Sequence, residues 1–123
     1  MLPLVLPLVD DKELTEQSIR DLYLMRNILV DDNGNPGSIR GTDSDKEGTP
    51  WVESWTKKQY VYFGHDAKRG LQASEFACGL DTGCCYGRQL SAMVLRLPES
   101  RRLVQVDALR VYEEVKSRAV CRD

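Results

Sequence analysis

Histidine occurs once in this chain, at position 65, and the residues around it have the most chemistry to offer. Gly64-His65-Asp66-Ala67-Lys68-Arg69 brings an imidazole, a carboxylate and two cations into one short run. An imidazole can ligate a metal or move a proton near neutral pH. Arg69 suits bidentate contact with phosphate, and Asp66 could orient the imidazole or accept from a loop amide. Each has a plainer reading. A lone histidine at a strand end is commonly structural, and Asp66 could be a turn residue bonding its own backbone. Lys57, Lys58, Lys68 and Arg69 could simply form a solvated basic face. Farther on, Leu80-Asp81-Thr82-Gly83 has the composition of a tight turn. There Asp81 and Thr82 are expected to bond local backbone, with Gly83 free to take a positive φ.

The elements that must position these groups follow from the flanking pattern. Tyr60-Val61-Tyr62-Phe63 is aromatic and β-branched, which predicts a short, largely buried strand closed by Gly64. His65 then stands where the strand opens into a loop, the usual place for ligands in layered α/β proteins. Asp10 to Asn27 predicts a loop entering a helix. Ser18 and Asp21 have capping-box spacing, Ile19, Leu22 and Tyr23 share a core-facing stripe, and Arg26 can meet the last carbonyls. Residues 31–50, rich in Asp, Asn, Gly, Ser and Thr, predict a flexible surface loop. Its acidic run lacks the twelfth-position ligand and flanking helices of a calcium loop. Trp51 and Trp55 are one helical turn apart and read as core, with a base-stacking platform as the sharper alternative. Leu90 to Leu97 and Leu103 to Ala108 predict a strand pair joined through Pro98 to Arg102, with one wet face at Gln105 and Asp107. Leu109 to Arg118 could form a short terminal helix.

Two stretches carry a family resemblance. G-H-D-A-K-R-G-L-Q, followed by G-L-D-T-G-C-C-Y-G, resembles the last signature of the calcineurin-like metallophosphoesterases. Within them it is most similar to the branch of the symmetrical diadenosine-tetraphosphatases, the ApaH-like phosphatases. More weakly, the resemblance extends from about Leu8 to about Ala108, and Leu22-Tyr23-Leu24-Met25-Arg26-Asn27 is similar to a helix that follows a histidine-bearing motif in that family. The resemblance implies an α/β fold, specifically the C-terminal half of a metallophosphoesterase β-sandwich with flanking helices. By this reading the strands between Gln59 and Ala108 belong to one sheet.

Such enzymes hold two divalent ions roughly 3.5–4 Å apart and direct a metal-bound hydroxide at phosphorus. The ions (Mn, Zn, Fe or Mg) are held by motifs of the forms GDxHG, GDxxxxG, GNH, HAG and GH. Only the last is present, which makes His65 a metal ligand by resemblance, Arg69 a substrate contact, and Asp66 and Asp81 supports behind the ligands. One imidazole gives no chelation, so this chain is expected to hold no metal tightly and to be inactive alone. The resemblance permits phosphorylated small molecules such as dinucleoside polyphosphates, polyphosphate, capped RNA or phosphoproteins as substrates of the complete enzyme. The alternative is a non-catalytic remnant acting as a binding or regulatory module, with self-association through exposed strand edges.

The totals fit this scale. The chain has 123 residues, 41% hydrophobic and 29% charged, with a net charge of -2. That is room for one partial phosphoesterase domain over 1–123, with no overall field to favour nucleic acid or an anionic membrane. Met1 to Val9 is apolar but broken by Pro3 and Pro7, far short of the ~20 residues of a membrane span and without the basic start of a secretory signal. It reads as a buried segment of a larger domain, and a cytoplasmic location is expected. Cys78, Cys84, Cys85 and Cys121 have no C-x-x-C spacing and are expected to be reduced thiols, with a disulfide framework or zinc ribbon as the lesser alternative.

Overall fold

The computed structural model describes residues 16–30, 33 and 40–116. Met1 to Val9, most of 31–39 and Cys121 lie outside them. The order is α1 (Glu16–Leu24), β1 (Asn27–Leu29), β2 (Arg40–Thr42), β3 (Thr49–Pro50), α2 (Trp51–Ser54), β4 (Val61–Phe63), β5 (Gln72–Ala73), β6 (Ala77–Gly79), β7 (Gln89–Arg96) and β8 (Ser100–Asp107). A 3-10 turn, Cys84–Tyr86, precedes β7.

The strands form three small sheets, with orders β2-β1-β3, β4-β6-β5 and β7-β8. The fold is thus mixed α/β, and the expectation that Gln59 to Ala108 forms one sheet is corrected. The cause is the turn after β6. Gly83 takes a left-handed φ of 72°, the 3-10 turn follows, and in place of a continuous ladder an isolated bridge, Gly83 to Gln89, and side-chain bonds from Thr82 to Gln89 and Ser91 tie the hairpin to what precedes it. An L side chain at Gly83 would carry the usual penalty for this conformation.

The core lies between the first two sheets. Ile28 of β1, Trp51 and Val52 of α2, Trp55 and Ala77 of β6 are buried, with Met25, Val61, Phe63 and Phe76 packed against them. Trp51 meets Trp55 edge-on, at 6.1 Å between ring centroids, and Phe63 at 4.8 Å. These edge-to-face contacts suit the ring quadrupoles. The Trp55 indole also donates to the Gln59 carbonyl at 3.0 Å, so its one polar atom is satisfied. The tryptophan pair is therefore core.

Other expectations need correction. α1 begins at Glu16, so Ser18 lies inside the helix and cannot be its N-cap. Leu22 and Tyr23 are 60% and 58% exposed, because their side of the helix borders an open cavity instead of a packed layer. Arg26 lies beyond the helix and bonds elsewhere. Part of the expected 31–50 loop is strand: β2 and β3 flank β1 in antiparallel pairing. Residues 109–116 form bends and no helix. The expected hairpin is present, pairing Gln89 with Asp107 through to Arg96 with Ser100, but Ser100 to Arg102, expected in the turn, already belong to the second strand.

Candidate phosphoester site

β4 delivers His65 to the surface. Gly64 ends the strand and His65 takes a φ of 63°, a left-handed conformation that non-glycine residues adopt at a cost. Its backbone is held there by Arg26, whose Nε donates to the His65 carbonyl at 2.9 Å. The His65 side chain is exposed at the edge of a cavity of about 440 Å³, lined also by Trp51, Trp55, Tyr62 and Phe63. The Tyr62 hydroxyl is buried without a hydrogen-bond partner.

Asp66 organises the loop beyond. Its backbone carbonyl accepts from the amides of Arg69 and Gly70 at 3.1 and 3.2 Å, closing one turn. The side chain is buried, at 3% exposure. Oδ2 accepts from Arg69 Nη1 at 2.7 Å and from Gln72 Nε2 at 3.0 Å. Oδ1 has no hydrogen bond and lies 3.9 Å from Arg26 Nε. A buried carboxylate is tolerable only with such cationic neighbours. The second amino group of Arg69 donates to Asn27 Oδ1 at 2.7 Å, and Asn27 Nδ2 donates in turn to the Glu47 carbonyl at 2.7 Å. Arg26 Nη1 donates to the Asp43 carbonyl at 2.6 Å. The loop after β4 is thus bolted to β1 and to the turn before β3 by a polar network around Asp66 and Asn27.

At the rim, Lys68 pairs with Asp45 and holds that carboxyl below its ordinary range. Arg88 donates to the Ala67 carbonyl. Burial pushes the Cys78 thiol up, in the central strand β6.

Of the residues singled out from the sequence, His65 stands at the cavity and Asp66 and Arg69 stand together behind it. Arg69, expected to contact phosphate, directs its guanidinium to Asp66 and Asn27. Asp66, expected to orient the imidazole or accept from the loop, holds Arg69 and Gln72 with its side chain and closes the turn with its carbonyl. Asp81 accepts from the Gly83 amide at 3.2 Å, a local turn bond, and Thr82 Oγ1 donates to the Gln89 carbonyl at 2.6 Å. Sequence reasoning missed Arg26 and Asn27. The signal was their place in the Leu22–Asn27 stretch, which the fold brings against the His65 loop.

No family model matches the chain. It is 33% identical over 79 residues to the symmetrical bis(5'-nucleosyl)-tetraphosphatase of Ralstonia nicotianae, a match covering 57% of this chain and 28% of that protein. A crystal structure assigned as a diadenosine tetraphosphatase superposes with a TM-score of 0.60 at 34% identity, over 72% of this chain and 37% of the other. The chain resembles the symmetrical diadenosine-tetraphosphatases in sequence and in fold. It spans between about a quarter and two fifths of the length of these two relatives. The family resemblance implies a pair of divalent ions. Among the described residues no group of three or more His, Cys, Asp or Glu is placed to hold a metal ion. The described residues alone do not supply the ligands of a two-ion centre.

Proposed function

We propose that this chain is the C-terminal portion of a phosphoesterase of the diadenosine-tetraphosphatase kind, hydrolysing phosphate anhydrides or esters when complete. The names of its relatives favour a nucleotide polyphosphate over polyphosphate, capped RNA or phosphoprotein as substrate. The observation that carries this reading is the joint placement of the two resembling stretches. Arg26 and Asn27, from one, hold the backbone of His65 and the side chain of Arg69, from the other. Such a network fixes where an imidazole emerges, which a metal ligand requires.

In this reading His65 is a metal ligand of the complete enzyme. Asp66 acts behind it by fixing Arg69, and Asp81 shapes the neighbouring turn. The chain alone hydrolyses nothing, because a dinuclear centre works only when its ligands are assembled. A cytoplasmic setting goes with this reading. The test is hydrolysis of p-nitrophenyl phosphate and diadenosine tetraphosphate by the purified chain with added manganese or zinc. No turnover above buffer is expected. Turnover that disappears in His65→Ala would overturn the claim of inactivity.

A second reading, a non-catalytic binding or regulatory module, is favoured by one observation. Every residue of β8 is exposed.

A further inference from the structure

β8 pairs with β7 along one edge, and among the described residues no strand lies on its other edge. Cross-strand partners in an antiparallel pair share a face. Leu90 with Val106, Ala92 with Val104 and Val94 with Arg102 therefore form one face, while Gln89 with Asp107, Ser91 with Gln105 and Leu95 with Arg101 form the other. The second face is turned towards the rest of the chain. Ser91 Oγ lies 2.5 Å from Thr82 Oγ1, and the Arg101 guanidinium lies 3.8 Å over the Tyr60 ring. The first face is open, with Leu90 and Val106 each 57% exposed. An unpaired strand edge with an apolar face running up to it is a template for another strand.

We propose that β8 pairs antiparallel with β8 of a second copy of this chain, about a two-fold axis at Val104. Charge complementarity selects this partner and this register. Alternate residues of a strand point their backbone groups to opposite edges, so outward-pointing residues of β8 can pair only with outward-pointing residues of its copy. That leaves registers in which some residue lies opposite itself. Arg102 opposite Arg102 juxtaposes like charges, and Leu103 opposite Leu103 sets Asp107 against Glu99. Gln105 opposite Gln105 sets Arg101 against Leu109 and Asp107 against Leu103, so neither charge meets its opposite across the seam. With Val104 opposite Val104, each Arg101 faces the partner's Asp107, twice per interface. The charges that would ordinarily blunt this edge become its specificity.

Existing contacts survive the pairing. A guanidinium stacks on an aromatic ring by its face and donates from its rim, so Arg101 keeps Tyr60 while meeting a carboxylate. Asp107 accepts from Gln89 Nε2 at 3.1 Å, and a carboxylate has capacity for more. The product is a four-stranded sheet, β7-β8-β8-β7, with Val104 of both copies at the centre of the face that carries Leu90, Ala92 and Val106, and Arg102 facing the partner's Val106. A two-fold pairing closes on itself and stops at the dimer.

The test needs no turnover, so its outcome is independent of the phosphoesterase reading. Sedimentation velocity of the full chain should give a dimer, twice the 14.0 kDa of one chain. Arg101→Asp and Asp107→Arg should each weaken association about tenfold or more. An equimolar mixture of the two variants should dimerise again, because every arginine then faces an aspartate. Should either single variant misfold, the Arg101→Asp/Asp107→Arg double variant carries the test and should dimerise as the parent does. A parent chain that stays monomeric, a dimer indifferent to both reversals, open-ended oligomers, or a double variant that does not dimerise would each overturn the proposal.

Discussion

Asp66 is where burial and charge meet most sharply in this molecule. Its carboxylate is 4% exposed and binds Arg69, while Oδ1 lies at ion-pair distance from Arg26. Removing one partner of such a pair leaves the other uncompensated, which costs more than the pair itself contributes. Asp66→Ala should therefore lower stability by about 2–3 kcal/mol in urea unfolding, a figure reduced from the fully buried case because Arg69 keeps some solvent. Asp66→Asn keeps the shape and one acceptor and should cost less. A contrasting case is Asp45, held below its ordinary pKa by its bond to exposed Lys68. A depressed folded-state pKa stabilises above the unfolded value and ceases to do so as pH falls through the folded one, so this contribution fades below about pH 4. In an NMR titration, Lys68→Ala should return the Asp45 carboxyl towards the ordinary range. Cys78 is buried with its thiol pushed up, and Cys85 is exposed, so iodoacetamide at pH 8 should modify Cys85 well before Cys78. At this scale the sequence spoke clearly about the turn at Asp81 and Gly83, whose bonds depend on immediate neighbours. It could not show that Arg69 faces Asn27, 42 positions away, because that contact exists only once β1 and the loop are assembled.

The elements divide by length and pattern. β7 and β8 are eight residues each, and both were legible as strands, β8 from Leu103 onward. β4 was legible from its aromatic and β-branched composition, and the tryptophan pair from its spacing. β1, β2 and β3 run only two or three residues and have no period to detect. α1 was read with the wrong start because Ser18 has capping spacing, yet the helix already runs through it. The short first sheet depends on backbone proximity. Gly48 has a φ of 72°, and a Cβ there would run into the Ile28 carbonyl. Gly48→Ala should destabilise by more than about 1 kcal/mol, through both the left-handed backbone and the clash. Trp51→Ala, which empties the ring contacts to Trp55 and Phe63, should cost about 3–5 kcal/mol and abolish the cooperative thermal transition.

Across the whole molecule, one small core joins two three-stranded sheets, and the hairpin stands apart from it. The outward apolar face of that hairpin was not legible from alternation, which tells two faces apart but not which one the rest of the chain covers. The single-sheet expectation failed for a related reason. Strand composition does not encode the turn at Gly83 that swings β7 away. The chain brings Arg26, Asn27, Asp66 and Arg69 together at the loop that carries His65. The most direct measurement is made in the Ralstonia nicotianae relative, with the segment that aligns with this chain, extended to include the His65 loop, replaced by this chain's residues. Hydrolysis of diadenosine tetraphosphate by that chimera should persist with His65 and fall by about a hundredfold or more with His65→Ala. Equal activity with and without the imidazole would contradict the assignment of His65 to the metal site.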